Sequence, residues 1–501
     1  NNVTGLFDGQ VSIGTHFVSI GAPTIRNEDS ASLYEKLPEP NISDINLSST
    51  NLLIREQLTG QTVNNTALTV NISSFTGISS ASFTSFDAER YSIVSSDRTN
   101  NSITIDSFVH TDDEITINGL TNGNGVVLNA TLIKKGVQSK QKQYKRSQVL
   151  TVDKSISGVT TSLSGLTANN YYGLRVQDEE ISLNRPDVIR VLAVHQSLDS
   201  GTSTFDQIQF TSSVSESIVG ENIISSESNA VARIVQNSTN SSLSNTTIGI
   251  VYLNTDRFVR GERVSFEESN ISSNIVSITA GKYQDLTNSF DLDKGQKDQY
   301  YDYSKIIRRS DIAVPSKKLT VVYDFYDVDT TIEGDVFTVR SYGGDRFSED
   351  IPEIGRDGVR ASDTLDFRPR VPVFTAIDKS PFDFDSRDFS GQLTRILAPN
   401  EDSLVDYDFY LGRIDKLYID KKGNLFINKG SSALNPQEPI TTYNDSMELA
   451  KITLPPYLYD PNDVQISLVD NRRYTMRDIG KIEDRVKTLE EVTSLSLLEL
   501  N

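Results

Sequence analysis

The sequence predicts a mainly β protein, with several β-sandwich or small-barrel modules in series followed by a C-terminal coiled-coil helix. Short alternating apolar runs separated by Gly, Asn and Pro fill most of the chain and are typical of strands and turns. A segment near the middle is duplicated, and the last thirty residues change to a helical heptad pattern. Apolar residues make up only 36% of the chain, which favours thin β-domains with much exposed surface.

Changes in pattern and composition divide the chain into six segments. These are an extended N-terminal arm expected to dock on a neighbour (1–50), a β-sandwich module (51–150), a fibronectin-like β module (151–205), duplicated small β units (206–285), an Asp- and aromatic-rich β domain (286–470) and the coiled-coil helix (471–501). The fibronectin-like interpretation depends on 163–176, where a Leu below a turn and a Tyr hydroxyl above it are typical of an E–F corner.

Two local patterns are the most specific signals for β-structure. Gly220–Ile223 recurs as Gly261–Val264 at an offset of 41 residues, which predicts paired units sharing one barrel or sandwich. The run from Gly412 to Ile427 has two apolar stretches around an Asp- and Gly-containing turn, which predicts a β-hairpin.

The terminal helix carries the predicted oligomerisation residues. Apolar residues at alternating spacings of three and four form the a/d seam, and an Arg at g precedes a Glu at the following e. The residues are Ile479, Ile482, Arg485, Val486, Leu489 and Glu490. The order Arg-apolar-x-x-apolar-Glu resembles the short trimerisation motif of coiled coils. Thr493 and Ser496 weaken the seam after Leu489, so the β-modules or a continuation beyond Asn501 must share the task of holding three chains.

Charge and composition exclude several classes of partner and site. The net charge of −20 argues against nucleic acid and anionic membranes as main partners. The chain has no Cys, which excludes disulfides and Cys-based metal or nucleophile sites. No apolar run approaches the ~20 residues that a membrane-spanning helix needs.

A basic stretch interrupts this acidic chain at 134–146. It can be interpreted as a patch that meets an acidic partner, or as an edge strand whose Lys140, Lys142 and Arg146 discourage unwanted pairing. The edge-strand interpretation is favoured.

No catalytic, cofactor-binding or metal-binding residues are predicted. His16, His110 and His195 lie far apart and are interpreted as ordinary strand residues. The acidic run 327–335 lacks the ligand order of a calcium loop and is interpreted as a solvated turn, with a loop-bound ion as the alternative. The cluster Asp383, Asp385 and Asp388 does not by itself define a glycosidase pair.

Several motifs of the C-terminal half resemble one known family. They are Tyr300–Ile306, Asp366–Arg370, the Arg413–Gly430 hairpin and Tyr474–Glu483 running into Leu489-Glu490. Over about 285–501 they are similar to large virion structural proteins of contractile-tailed cyanophages (myoviruses), which carry a domain of unassigned function. The resemblance implies a protein of the baseplate and tail-fibre apparatus, made in the host cytoplasm, and carries no catalytic motif.

Three functions are therefore weighed. A trimeric structural component of the phage tail, connecting or anchoring fibres beside other baseplate or fibre proteins, is favoured. A polysaccharide depolymerase predicts a long parallel β-helix with regular repeats, and one duplication does not supply that. A receptor-binding adhesin predicts a tip domain at the far end of a shaft, whereas the helix here follows the modules. We expect a homotrimer that is not an enzyme.

Overall fold

The fold was analysed in a computed structural model. It describes residues 17–19, 24–26, 32–78, 80–95, 105, 107–120, 125–156, 164–328, 334–343, 351–355, 358–389, 395–440, 443, 445–458, 461–470 and 474–499. Strands account for 45% of the chain and a single α-helix lies at the C-terminus, so the predicted mainly β class is confirmed. The chain divides into two compact units, the first extending to Phe409 and the second beginning at Tyr410.

The strands are short and numerous. Those of the first third are β1 (Phe17–Ser19), β2 (Thr24–Arg26), β3 (Tyr34–Lys36), β4 (Ile42–Ile45), β5 (Leu52–Thr62), β6 (Ala67–Asn71), β7 (Ala81–Phe83), β8 (Tyr91–Ser95), β9 (Ser107–His110), β10 (Glu114–Asn118), β11 (Gly125–Lys134), β12 (Lys142–Val152), β13 (Lys154–Ser155) and β14 (Thr167–Ala168). Those of the middle third are β15 (Glu180–Pro186), β16 (Val188–Ser197), β17 (Asp206–Phe210), β18 (Asn222–Ile224), β19 (Val231–Gln236), β20 (Thr247–Tyr252), β21 (Arg263–Phe266), β22 (Ser272–Thr279), β23 (Tyr283–Asp285), β24 (Phe290–Asp293), β25 (Tyr303–Arg308) and β26 (Leu319–Val328).

The remaining strands and the helices complete the chain. The strands are β27 (Glu353–Ile354), β28 (Val359–Arg360), β29 (Thr364–Asp366), β30 (Ile396–Leu397), β31 (Asp402–Leu404), β32 (Tyr407–Tyr410), β33 (Arg413–Asp420), β34 (Leu425–Asn428), β35 (Ser446–Leu454) and β36 (Gln465–Leu468). The α-helix is α1 (Met476–Glu499), and single 3₁₀ turns lie at Ile72–Ser74, Thr287–Ser289, Val339–Ser341, Ala361–Asp363, Phe384–Ser386 and Pro461–Asp463.

The sheets of the first unit join strands that are distant in sequence. One has the order β12-β26-β16-β23, and a second has the order β15-β25-β24. Their apolar side chains, including Val152, Val194, Phe290 and Tyr323, share one core. Strand pairing therefore crosses the predicted divisions at 150/151 and 285/286, because strands from 142 to 197 bury apolar side chains against strands from 290 to 328.

The described part of the N-terminal arm pairs within its own chain. Strand β3 pairs with β29, β4 pairs with β32, and β2 pairs with β31. The short strands between 364 and 410 offer free edges, and the arm supplies their missing backbone partners. This part of the arm thus finds backbone partners in its own chain, and its docking on a neighbour stays a prediction.

The duplicated segment forms a closed barrel of six strands, in the order β17-β20-β19-β18-β21-β22. Gly220 and Gly261 occupy equivalent turns with φ of 93° and 92°. Their amides donate to Ile234 O at 2.8 Å and Ile275 O at 2.9 Å, which preserves the offset of 41 residues. The prediction of paired units sharing one barrel is confirmed.

Two buried glutamates hold the turns of the barrel together. Glu221 accepts the backbone N–H groups of Ile218 at 2.6 Å and Ser269 at 2.9 Å. Glu262, its equivalent in the second repeat, accepts Val259 N at 2.5 Å and Ser225 Oγ at 2.9 Å. Each carboxylate therefore joins its own turn to a turn of the other repeat, which explains why Glu follows the turn glycine in both copies.

In the second unit, β33 and β34 form the hairpin predicted between Gly412 and Ile427, with Leu417 opposite Ile427. Asp420 Oδ1 accepts the amides of Lys422 at 2.7 Å and Asn424 at 2.8 Å, and Gly423 takes a φ of 89°. Strands β35 and β36 extend the hairpin to the order β34-β33-β35-β36.

We expect Glu221→Gln to lower the free energy of unfolding of the barrel by about 1–3 kcal/mol, because the new amide nitrogen must face backbone donors in a buried site. Glu227→Gln is the matched control, because Glu227 belongs to the same repeat and is exposed. The measurement is equilibrium denaturation of both variants. Equal stability of the two would contradict the role assigned to Glu221.

Candidate oligomerisation site

Helix α1 begins at a well-formed N-terminal cap. Thr475 Oγ1 donates to Asp478 Oδ2 at 2.7 Å, and the Thr475 amide donates to the same carboxylate at 3.0 Å. The Asp478 amide donates back to Thr475 Oγ1 at 3.3 Å. These bonds from Thr475 hold the pKa of Asp478 below its ordinary value. The cap fixes where the helix starts and places a negative charge at its N-terminus, which is favourable.

The predicted seam lies on α1 and is exposed. The exposed fractions are 47% for Ile479, 45% for Ile482, 50% for Val486 and 71% for Leu489. Every described side chain from Lys481 to Leu498 is exposed, so the described part of this chain does not cover the helix. Helices draw most of their stability from packing an apolar face. The seam therefore remains available for a partner.

Arg485 and Glu490 flank the seam and form no ion pair in the described part of the chain. They are five positions apart, too far round the helix to meet each other. By contrast, Lys487 Nζ lies 2.9 Å from Glu483 Oε1, an i,i+4 pair within the helix. The charges beside the seam thus stay free to pair between helices, as g and e residues do in coiled coils.

After Leu489 the helix turns its hydroxyl side chains back on itself. Thr493 Oγ1 donates to the Leu489 carbonyl, and Ser494 Oγ donates to the Glu490 carbonyl at 2.7 Å. Such bonds satisfy the hydroxyls locally and add no apolar contact to the seam. The strong part of the seam therefore ends at Leu489, as the sequence predicts.

The histidines are not brought together. His16 lies outside the described residues, His110 belongs to β9, and His195 belongs to β16. The His195 ring is buried and stacks on Tyr283, with 3.7 Å between ring centroids. Burial lowers the pKa of His195 below its ordinary value, which keeps the ring neutral. It is a packed aromatic residue of the sheet.

Members of the two acidic clusters form hydrogen bonds and ion pairs with nearby residues. Asp383 Oδ2 accepts the Ser380 amide at 2.9 Å, while Arg387 pairs with Asp302 at 2.9 Å. Asp335, the last acid of the calcium-like run, lies 3.4 Å from Arg395, whereas Asp329 and Glu333 lie outside the described residues. Among the described residues, no group of three or more His, Asp or Glu side chains could hold a metal ion.

Membrane insertion was also considered. In the described part of the chain, no helix combines the length and apolar character needed to cross a bilayer.

The densest cluster of ionisable groups was not predicted from the sequence and lies inside the first unit. At its centre, Lys142 Nζ donates to Asp187 Oδ2 at 2.8 Å and to the hydroxyls of Tyr301 and Tyr342 at 3.1 Å each. The ammonium group also lies 4.9 Å from the ring centroid of Phe337. All three of its N–H groups are satisfied, and the surrounding rings supply cation–π attraction.

A second buried ion pair adjoins Lys142. The Arg368 guanidinium donates to both oxygens of Asp366, at 2.9 and 2.7 Å, and lies 4.1 Å from the ring centroid of Tyr301. The Tyr301 hydroxyl donates to Asp366 Oδ2 and so links the two pairs. Gln296 completes the connection, because its amide nitrogen donates to Asp187 and its oxygen accepts from Arg368, both at 3.0 Å.

Burial shifts the pKa values of this cluster. It lowers the pKa of Lys142 to about 8, against the attraction of Asp187. It also raises the pKa of Tyr301 well above its ordinary value, and the charge of Asp366 adds to that shift. Burial alone would raise the pKa of Asp366, but Arg368 outweighs it and holds that pKa below its ordinary value. A lysine with such a pKa can serve catalysis, yet here every donor is engaged by the protein, so we interpret the cluster as structural.

The cluster corrects the interpretation of the basic stretch 134–146. Strand β12 does lie at the edge of its sheet, as predicted. However, Lys142 is buried, and Lys140 Nζ lies 5.3 Å from the ring centroid of Phe337. Arg146 pairs with Glu268. Pairing and aromatic contacts therefore account for these three cations, and the predicted role of Lys142 as an edge charge that discourages unwanted pairing was wrong.

We expect Lys142→Met to lower the free energy of unfolding of the first unit by about 3–5 kcal/mol, because it leaves Asp187 charged, buried and without its cation. Lys142→Met with Asp187→Asn is the matched control. It removes both charges, keeps a residue that tolerates the φ of 61° at position 187, and should recover part of the loss. The measurement is denaturant unfolding of both variants and the parent. A Lys142→Met variant as stable as the parent would contradict the account.

Comparison with known proteins gives one family match. A family described as a domain of unknown function (DUF4815) matches residues 386–500, a segment that includes the four-stranded sheet of the second unit and α1. No curated protein and no solved structure matches the chain. The exposed seam therefore lies within the part of the chain that is similar to this family.

Proposed function

We propose that the chain is a structural component of a contractile phage tail, in the baseplate and tail-fibre apparatus, where it assembles as a homotrimer and connects or anchors fibres. The observation that carries this proposal is the exposed a/d seam of α1. A 24-residue helix is about 36 Å long at ~1.5 Å per residue, and this one lacks a packing partner within the described part of the chain. A coiled coil between copies would bury the seam.

The positions of the charges favour three parallel copies. In a parallel coiled coil, Arg485 at g of one helix reaches Glu490 at e of its neighbour, and its aliphatic stem covers the seam. Neither Arg485 nor Glu490 forms an ion pair in the described part of the chain, so both charges are available for such a contact between helices. Together with the resemblance of 285–501 to cyanophage virion proteins, this supports a tail component over a solitary protein.

The first unit supports a load-bearing role rather than catalysis. Its densest ionic cluster has its charges paired and joins segments 200 residues apart, as between Lys142 and Tyr342. Among the described strands, β13 and β14 form a short parallel pair. The long strands pair antiparallel, as in β5–β11 and β12–β26. This pairing does not favour the long parallel β-helix of a depolymerase. We propose no catalytic activity, and a depolymerase or adhesin remains the alternative to be tested.

We expect Val486→Asp with Leu489→Asp to convert the trimer to monomers, because two buried charges per chain oppose the seam. Thr488→Asp with Ser494→Asp is the matched control, because it adds the same charge at c and b positions away from the seam. Sedimentation velocity of the two full-length variants provides the measurement. A trimer that survives the seam substitutions would show that α1 is not the oligomerising element.

We expect antibodies raised against the chain to label the baseplate or fibre attachment region of purified particles in electron micrographs. The proposed anchoring role requires the protein to be a stoichiometric part of the particle. Absence of the chain from purified particles would contradict the proposal. Labelling at the fibre tips would favour an adhesin, and release of sugars from host envelope by the purified chain would favour a depolymerase.

A further inference from the structure

The sheet of the second unit has one face that its own chain covers. On this face the rings of Tyr418, Phe426 and Tyr443 pack together, with 5.6 Å between the centroids of Tyr418 and Phe426. Glu438 closes over the same face, with Lys416 Nζ at 3.0 Å and Lys451 as a second partner. Glu438 and Tyr443, which lie between β34 and β35, thus cover part of this side of the sheet.

On the opposite face, the side chains that strand pairing places next to one another are mainly apolar. Leu417 lies opposite both Ile427 and Ala450, and Ala450 lies opposite Leu468. Ile419 lies opposite Leu425 and Met447. Ile452 lies opposite Ile466 on one side and the buried Asp415 on the other, and Asp415 pairs with Arg413. We call these nine residues the apolar sheet face: Leu417, Ile419, Leu425, Ile427, Met447, Ala450, Ile452, Ile466 and Leu468.

The outer members of the apolar sheet face are exposed. The exposed fractions are 81% for Leu468, 62% for Ile466 and Leu425, 50% for Ile427 and 47% for Met447. In an antiparallel sheet with one face covered, the other face is ordinarily polar. Contiguous exposed apolar residues of this kind mark interaction surfaces. The arrangement here therefore calls for a partner that covers the face.

We infer that the apolar sheet face is a second interface of the trimer, buried against the second units of the neighbouring copies. This inference depends on the proposed assembly through α1. Seven residues separate Leu468 from Met476, so the face lies within about 28 Å of the start of the helix at ~3.5 Å per residue step. Three parallel helices would hold three such faces together at high effective concentration.

The size of the interface and its chemistry also favour a second copy. The strong seam supplies four apolar residues per chain, Ile479, Ile482, Val486 and Leu489, whereas a stable interface takes about 20–30 residues a side. The exposed residues of the apolar sheet face enlarge the interface that the seam alone would provide. They carry no charge, and Asp415, the charged residue beside Ile452 on this face, is buried and paired with Arg413. The matching surface must therefore be mainly apolar, and the same face on the next copy meets that requirement.

The absence of Cys from the chain allows a direct test. Leu468→Cys and Ser467→Cys place single thiols on opposite faces of β36, at neighbouring positions that are both exposed in one chain. Full-length variants are treated with a maleimide, and the labelling rates are compared. In the trimer we expect Leu468→Cys to react at least about tenfold more slowly than Ser467→Cys, because the reagent reaches it only when the interface opens. Ile466→Cys and Gln465→Cys form a second pair with the same expectation.

The same measurement in the Val486→Asp, Leu489→Asp background separates the possible outcomes. Loss of the difference in the monomer supports the inference. Equal labelling of both positions in an intact trimer would overturn the inference and leave the proposed function standing. Protection that persists in the monomer would also overturn it, because the chain itself would then cover the face. A parent chain that is monomeric would overturn both proposals.

Discussion

The exposed apolar seam of α1 is the constraint on which the proposed assembly depends. The helix is capped, continuous and exposed along its length, and an isolated helix in water gains little without a packed face. The sheet that precedes α1 also has an uncovered apolar surface. One face of this sheet is partly covered by its own chain, and the other face is mainly apolar and has exposed outer residues. Both features call for other copies of the chain.

The first unit solves the opposite problem by itself. Lys142, Asp187, Asp366 and Arg368 are buried charges, and each has a partner of opposite sign within the unit. Such pairs are costly to bury, but removing one member costs more, so the network specifies which segments meet. In the proposed assembly, the first unit acts as a self-contained body, while the second unit supplies the surfaces for association. This division of roles suits a protein that transmits force between larger parts.

Local patterns in the sequence predicted the elements whose causes are local. The heptad pattern predicted α1, the Asp- and Gly-containing turn predicted the β33–β34 hairpin, and the offset of 41 residues predicted the paired units of the barrel. Pairing between distant segments was not predictable in this way. Lys142 meets Tyr301 and Tyr342 because strands far apart in sequence share a core, and no spacing in the chain encodes that contact. The same non-local pairing explains why sheets cross the predicted divisions, and why Lys142, expected at an edge, is buried.

Native mass spectrometry of the intact chain at micromolar concentration tests the central claim most directly. Assembly through α1 and the apolar sheet face predicts a dominant species of three times the 55.6 kDa mass of one chain. A dominant species of one or two chains would contradict the account.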